Sequence, residues 1–129
     1  MQVLIVGGGR TGSELANLLL QEGHGVTVIE QRADLIPRLH KEIGKAVVMQ
    51  GDGCEPTVLE QANIRKANVV AAVTGHDEDN LVICLLARQE FGVRRTVARV
   101  NNPKNEWLFT PEMGVDVSVS QAHIMTALM

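Results

Sequence analysis

The sequence predicts an α/β fold in which six parallel strands form one doubly wound sheet with helices on both faces. Three observations lead to this prediction. Short apolar runs alternate with helical patterns along the whole chain, a glycine-rich turn follows the first run, and no repeat or linker interrupts the alternation. Such alternation is typical of parallel strands that are joined by helical crossovers.

The length and composition restrict the classes of protein to which the chain can belong. The 129 residues are enough for one domain, and we expect a single domain over residues 1–129. A hydrophobic fraction of 45% and a charged fraction of 21% are typical of a folded globular chain. A net charge of -3, with two Phe, one Trp and no Tyr, provides neither the basic surface nor the aromatic platform that binds nucleic acid. We therefore expect no nucleic-acid partner.

Two further absences in the sequence concern location and cysteine chemistry. No apolar stretch approaches the roughly 20 residues that cross a bilayer, and the start lacks the basic segment of a signal peptide. We therefore expect a cytoplasmic protein. Cys54 and Cys84 have no histidine nearby at ligand spacing, so neither a zinc site nor a disulfide framework is expected, and Cys84 is interpreted as a core residue.

The first strand, residues 3–6, leads into the turn Gly7-Gly8-Gly9-Arg10-Thr11-Gly12. Its glycines fit the G-x-G-x-x-G spacing, which permits a tight turn, close approach of a pyrophosphate and close packing of helix on strand. The helix that begins near Arg10 is expected to direct its free amide groups at that phosphate. The alternative is a glycine-bearing turn that binds no ligand.

The second strand, residues 26–29, ends at Glu30, close to the interval of roughly 20 residues expected for a ribose-binding acid. A carboxylate there accepts hydrogen bonds from the adenosine ribose and repels a 2′-phosphate, which favours NAD or ADP over NADP. The alternative is a solvated acid at a strand end. Gln31 and Arg32 are also candidate cofactor-binding residues, although an arginine near this position can serve a 2′-phosphate.

The rest of the chain continues the alternation of strands and helices. Asp34 and Ser120 are predicted to cap the helices that follow them. The remaining predicted elements are a helix at 35–43 ended by Gly44, a strand at 46–49, a helix at 56–62, a strand at 69–73, a long helix opened by residues 74–80 and ended by Gly92, a strand at 96–100, a short helix from Pro103, a half-exposed strand at 115–119 and a last helix at 121–129.

Right-handed crossovers between these strands leave the Rossmann-type order 3-2-1-4-5-6 as the economical topology. Ligands of such sheets bind at the carboxyl ends of the strands, near the point where the order reverses. The loop Gly51-Asp52-Gly53-Cys54 follows the third strand there. Thr74 and Gly75 follow the fourth strand across the reversal, where the second half of a dinucleotide is expected to lie.

Together these segments resemble the TrkA-N family, also called RCK N-terminal or KTN domains, which are nucleotide-binding regulatory domains of potassium transport systems. The resemblance covers nearly the whole chain and is carried by the glycine turn, Glu30 and the segments 51–53, 73–80 and 98–101. The usual acid after the second strand in that family is Asp, and the longer Glu30 is still expected to accept ribose hydroxyls. The family often continues into a C-terminal regulatory domain, which we expect this chain to lack.

The resemblance implies a regulator that binds NAD(H) or, in the same pocket, ADP, ATP or AMP. It also implies a homodimer or larger ring held at the inner face of the membrane by a potassium channel or transporter subunit. By family position, Asp52 and Cys54 lie near the adenine and Arg99 meets a phosphate or ribose. The alternative for Asp52 and Cys54 is that the Gly-Asp-Gly segment only forms a turn. The alternative for Arg99 is a solvated arginine at a strand end. Val73 and Asn80 complete the candidates, and Asn80 is expected to bond the loop or a neighbouring subunit.

Asp77, Glu78 and Asp79 crowd the start of the long helix, where the helix dipole stabilises negative side chains. We interpret them as capping residues, with a divalent-ion site as the alternative. Six strands use the whole length, so no substrate domain is expected, and His76 has no orienting partner in the sequence. We assign no catalytic residue and no metal ligand. The alternatives to a regulator are a small NAD-dependent oxidoreductase and an S-adenosylmethionine or sugar-nucleotide binding module.

The predicted last helix carries an apolar stripe formed by Ile124, Met125, Leu128 and Met129. Such a stripe marks a partner surface, and the alternative is packing on its own sheet. In the resembled family the terminal helix packs across a dimer, so we expect residues 120–129 in a dimer contact. Nucleotide binding is then expected to change the orientation of associated subunits and to bias a potassium pore or transporter.

Overall fold

The computed structural model describes residues 1–120 as a parallel sheet with helices on both faces. Adjacent strands pair in parallel in the order β3-β2-β1-β4-β5-β6, which confirms the Rossmann-type fold predicted from the sequence. In these residues the strands are β1 (Gln2–Val6), β2 (Gly25–Glu30), β3 (Val47–Gln50), β4 (Val69–Ala72), β5 (Arg95–Val100) and β6 (Val117–Ser120). The α-helices are α1 (Arg10–Gln21), α2 (Ile36–Glu42), α3 (Pro56–Gln61) and α4 (Asp77–Leu85).

The sheet has an apolar core on each face. Side chains alternate along a strand, so Leu4 of β1 enters one core and its neighbour Ile5 enters the other. The core of Leu4 also contains Ile83 of α4, whereas the core of Ile5 contains Ala16 of α1 and Leu39 of α2. Burial on both faces explains why the central strands appear in the sequence as continuous apolar runs.

Several predicted elements differ from the observed ones at their ends. The prediction that Asp34 caps α2 was wrong, because Asp34 lies within a 3-10 turn, Ala33–Leu35, and no side chain caps that turn or α2. The long helix begins at Asp77 rather than within residues 74–76, and its last part, Leu86–Glu90, is a π-helical turn. The segment after Pro103 is a 3-10 helix, Pro103–Leu108.

The last predicted helix and its expected dimer contact lie outside the described residues. Ser120, its predicted cap, is the final residue of β6. Between residues 1 and 120, no helix combines the length and the apolar character that a bilayer span requires.

Candidate functional site

A cleft of about 310 Å³ opens at the carboxyl ends of the central strands. Every candidate residue from the sequence lines it except Gly8, Arg10, Gly12 and Asn80. The predicted residues that line the cleft are Gly7, Gly9, Thr11, Glu30, Gln31, Arg32, Gly51, Asp52, Gly53, Cys54, Val73, Thr74, Gly75 and Arg99. The lining also includes residues that had not been assigned to the site, namely Val6, Ile29, His76, Asp79 and Ile83.

The glycine turn forms the floor of the cleft. Gly7 has φ +115°, and a Cβ there would lie 2.9 Å from the backbone of Val73 and Thr74. A Cβ on Gly12 would lie 1.8 Å from the Gly7 carbonyl oxygen, so this glycine lets α1 pack directly against the turn. Both positions therefore require glycine for backbone packing, and Gly12 acts from beneath the cleft.

The backbone at Gly9 is open to the cleft. Gly9 precedes the first turn of α1, and no side chain caps that helix. A Cβ on Gly9 would have one neighbour within 4 Å, the Arg32 Nη2 atom at 3.6 Å. An uncapped helix N-terminus beside half-buried glycine backbone that borders the cleft fits a phosphate group, because helix N-termini bind anions through their amide groups.

Two residues of the turn lie away from the cleft. The Gly8 amide donates a hydrogen bond of 2.8 Å to Glu30 Oε1, so Gly8 holds the turn to the end of β2. Arg10 faces solvent with 90% of its side chain exposed, and its Nε lies 3.2 Å from Glu14 Oε1. The described contacts therefore place the Arg10 side chain outside the cleft.

Glu30 lies at the end of β2 with only 4% of its surface exposed. In addition to the Gly8 amide, it accepts hydrogen bonds from the Arg32 backbone amide at 2.8 Å and from the Arg32 guanidinium at 3.0 and 3.2 Å. Burial raises the pKa of this carboxyl, but the bonds from Arg32 and Gly8 outweigh burial and hold the pKa below its ordinary value. Glu30 is therefore ionised at neutral pH, and it is not a solvated strand-end acid.

On the other side of the cleft, Asn80 organises the loop after β4. Its Oδ1 accepts hydrogen bonds from the Thr74 amide at 3.0 Å and from the Thr74 hydroxyl at 2.7 Å. Its Nδ2 donates to the Thr74 carbonyl at 3.1 Å and to the Arg99 carbonyl at 2.9 Å. Asn80 is fully buried, so it positions the cleft loop from below, which matches the loop-bonding alternative of its prediction.

Arg99 joins the two sides of the cleft. Its Nη1 donates a hydrogen bond of 3.0 Å to the Thr11 hydroxyl, which lies in the first turn of α1. The end of β5 is thereby connected with the glycine turn through residues that lie 88 positions apart. Arg99 is therefore not a freely solvated arginine, and its guanidinium lies beside the region that fits a phosphate.

Asp77 does more than interact with the helix dipole. Its carboxylate accepts hydrogen bonds from the Asn101 amide at 2.6 Å, the Asn102 amide at 2.9 Å and the side chains of Asn101 and Asn105 at 3.1 and 2.9 Å. Burial raises its pKa, and these four bonds outweigh burial and lower the pKa below its ordinary value. Asp77 thus fastens the start of α4 to the segment after β5, a role that sequence reasoning missed.

The loop after β3 is shaped by turn chemistry and close packing. Asp52 Oδ1 accepts a hydrogen bond of 2.9 Å from the Cys54 amide, as in an Asx turn, and a Cβ on Gly53 would lie 2.4 Å from Val6. Burial, with the nearby charges of Asp79 and Asp52, raises the pKa of Cys54 to about 12.

Among residues 1–120, no group of His, Cys, Asp and Glu is arranged to hold a metal ion.

The sequence matches the model of the TrkA-N domain family over residues 3–121. The chain belongs to the TrkA-N domain family. Two relatives are similar in sequence to this chain: the Trk system potassium uptake protein TrkA of Mycobacterium tuberculosis is 41% identical over 99% of this chain, and a TrkA homolog of Methanothermobacter thermautotrophicus is 44% identical over 93%. The matched regions are 57% and 54% of those two proteins, so this TrkA-N chain spans about half of their length.

Solved structures show a similar fold. The GsuK structure bound to ADP has a TM-score of 0.81 and 26% identity, and the match covers 98% of this chain and 32% of that one. The GsuK channel bound to NAD has a TM-score of 0.79 and 24% identity, with 92% of this chain and 21% of that one covered, which is a likeness of fold alone. The family resemblance read from the sequence is therefore confirmed.

Proposed function

We propose that this chain binds an adenine nucleotide, NAD(H) foremost, in the cleft at the carboxyl ends of the strands. The observation that carries the proposal is the open backbone of Gly9 at the uncapped N-terminus of α1, with the ionised Glu30 beside it. A phosphate on the amides of α1 and a ribose at Glu30 correspond to the diphosphate and the sugar of an adenosine diphosphate unit. The ADP-bound GsuK structure, which is similar to this chain, supports the same ligand class.

The second half of a dinucleotide is assigned to the side of the cleft formed by Thr74 and Arg99. This side follows β4 across the reversal of strand order, where dinucleotides of doubly wound sheets extend. The cleft volume of about 310 Å³ lies at the lower end of the range of roughly 300 to 1,000 Å³ for small-molecule sites. ADP or ATP would use the same adenosine contacts and end at the phosphates.

Calorimetric titration with NADH, NADPH, ADP and AMP tests which nucleotide the cleft binds. We expect NADH and ADP to bind, and Glu30→Ala to weaken both by roughly 1 to 3 kcal/mol, the usual cost of losing a charged hydrogen-bond partner. Glu42→Ala is the matched control, because Glu42 is a carboxylate on α2 that pairs with Arg38 and does not line the cleft. Absence of binding by all four nucleotides would refute the proposal.

We further infer that nucleotide binding serves regulation of potassium transport rather than catalysis. The similarity to Trk potassium uptake proteins supports the transport role, and that similarity extends over about half of each relative. The chain is then a cytoplasmic regulatory subunit that forms a dimer or ring and associates with a membrane potassium channel or transporter. Binding would regulate by favouring one arrangement of subunits through different affinities for the two arrangements.

Two measurements test this role. Potassium flux is followed in vesicles that hold the cognate membrane subunit, with this protein added under NADH, NAD, ADP or ATP, and flux is expected to depend on the nucleotide. Equal flux under all of them, despite proven binding and association, would leave only a nucleotide-binding module. Sustained protein-dependent oxidation of NADH with a panel of carbonyl substrates, followed at 340 nm, would instead favour a small oxidoreductase.

A further inference from the structure

The carboxylate expected to bind ribose is already fully hydrogen-bonded within the chain. A carboxylate offers about four acceptor positions, two on each oxygen. Oε1 of Glu30 accepts from the Gly8 amide and Arg32 Nη2, and Oε2 accepts from the Arg32 amide and Nε. A ribose diol needs two acceptor positions, so two of these donors must leave before the diol can bind.

The two backbone donors and the two guanidinium donors differ in how easily they can leave. The Gly8 and Arg32 amides belong to the glycine turn and to the chain directly after β2, so releasing them requires a change of backbone. The Arg32 side chain is 61% exposed, and the contacts described for its guanidinium nitrogens are those with Glu30. Rotation of this side chain into solvent frees one position on each oxygen and leaves the backbone in place.

The guanidinium also lies between Glu30, where the ribose is assigned, and the glycine turn. Its Nη2 atom lies 3.6 Å from the position that a Cβ on Gly9 would take, at the open part of the phosphate-binding turn. Arg32 therefore extends from Glu30 toward the turn, across the path between the ribose-binding and phosphate-binding groups. A nucleotide that contacts Glu30 and the amides of α1 together must displace it.

We propose that Arg32 is an internal competitor for the ribose subsite, which must release Glu30 before an adenine nucleotide binds there. The inference rests on the proposed nucleotide-binding function and assigns to Arg32 the control of affinity and of ribose selectivity. While paired, the guanidinium neutralises Glu30. Once displaced, it remains at the edge of the subsite as a mobile cation that can meet a 2′-phosphate, which Glu30 alone would repel.

Competition by Arg32 predicts that Arg32→Ala changes nucleotide affinity in the direction opposite to that expected from charge alone. Removing a positive charge near a site for an anionic ligand ordinarily weakens binding. If Arg32 competes for Glu30, Arg32→Ala instead tightens ADP and NADH by roughly 3- to 10-fold, because binding no longer breaks the ion pair between the exposed Arg32 and the buried Glu30. In Arg32→Ala the 2′-phosphate of NADPH has no guanidinium to contact and lies near an unpaired Glu30. The preference for NADH over NADPH therefore rises.

The experiment is calorimetric titration of the full chain, as wild type, Arg32→Ala and Arg38→Ala, with ADP, NADH, NADPH and 2′,3′-dideoxy-ADP. Arg38 is the matched control, because it is an exposed arginine paired with a glutamate, Glu42, and it does not line the cleft. Circular dichroism and urea unfolding check that both variants are folded. The dideoxy analogue lacks the hydroxyl groups that replace the guanidinium on Glu30, so its gain with Arg32→Ala is expected to be smaller than that of ADP.

The outcomes separate the two levels of the proposal. Tighter ADP and NADH with Arg32→Ala, a raised NADH to NADPH ratio and little change with Arg38→Ala support the competitor. Unchanged or weaker ADP binding with Arg32→Ala, when the wild type binds ADP, overturns the competitor and leaves the nucleotide site intact. Failure of every nucleotide to bind either the wild type or Arg32→Ala overturns both proposals.

Discussion

Loss of the Asp77 carboxylate is expected to destabilise the fold more than loss of its neighbouring acid. Asp77 is 6% exposed and accepts hydrogen bonds from two backbone amides, those of Asn101 and Asn102. Asn101 and Asn102 are exposed residues, so water can replace the lost acceptor, and each of the two bonds contributes a net of about 1 kcal/mol. Asp77→Ala should therefore lower the free energy of unfolding by about 2 kcal/mol, a substantial part of the roughly 5 to 15 kcal/mol of a typical domain.

The assay is urea unfolding at neutral pH with Glu78→Gln as the matched control. Glu78 lies in the same helical turn but is exposed, so it reports the helix-dipole contribution alone, about 0.3 to 1 kcal/mol. If Asp77→Ala cost no more than Glu78→Gln, the carboxylate bonds to the segment after β5 would not hold in solution. Interaction with the helix dipole would then account for the whole contribution of Asp77 to stability.

The same carboxylate is expected to make stability depend on pH. The pKa of Asp77 in the folded chain lies below its ordinary value of 3.8, so its stabilisation is complete above about pH 4 and is lost as pH falls through the folded pKa. Asp77→Asn, which cannot titrate, should have a shallower decline of unfolding free energy below pH 4 than the wild type. A decline of equal slope in both would contradict this assignment.

Three further predictions concern two glycines of the cleft, the loop held by Asn80, and the two cysteines. Gly12→Ala places a Cβ 1.8 Å from a backbone carbonyl and should cost more than about 3 kcal/mol of unfolding free energy, whereas Gly75→Ala, with no atom within 4 Å of its Cβ, should change it by less than about 0.5 kcal/mol. Asn80→Ala removes the acceptor and donor of the cleft loop and should cost about 2 to 4 kcal/mol in the same unfolding assay. Cys54 and Cys84, each with a pKa raised to about 12 mainly by burial, should react slowly with a thiol reagent at pH 8 until denaturant is added, and rapid labelling of both in the native chain would contradict this.

Sequence reasoning reached the topology because the features that set it are local. Apolar runs, helical spacing and the glycine turn each occupy a few consecutive residues, and the rule of right-handed crossovers then leaves few strand orders. The need for glycine at positions 7 and 12 was also readable, because strand-turn-helix geometry creates the same crowding wherever it occurs. Helix ends were less predictable, as the 3-10 turn around Asp34 shows, because several adjacent residues can start a helix.

The contacts that organise the cleft could not be predicted in the same way. Asp77 binds donors that follow β5, and Arg99 reaches Thr11 near the start of the chain. Whether these side chains face each other depends on the sheet register and on the twist, which periodicity does not contain. The pairing of Glu30 with Arg32 is short-range, yet the sequence alone left both residues free to face a ligand.

The two sides of the cleft are held by different contacts, and under the proposed function this difference limits how a nucleotide could act as a signal. Glu30, Gly8 and Arg32 form one local set around the adenosine side. Thr74, Asn80 and Arg99 form the other set, and the Arg99 bond to Thr11 joins it to the phosphate-binding turn. Ligands that share adenosine make the same contacts with the first set, so they can favour different arrangements of subunits only through the second. Under the proposed function, a nicotinamide riboside and a terminal phosphate would reach Arg99 with different donors and charges, so any difference between the outputs of NADH and ATP is expected to arise on the Thr74 and Arg99 side.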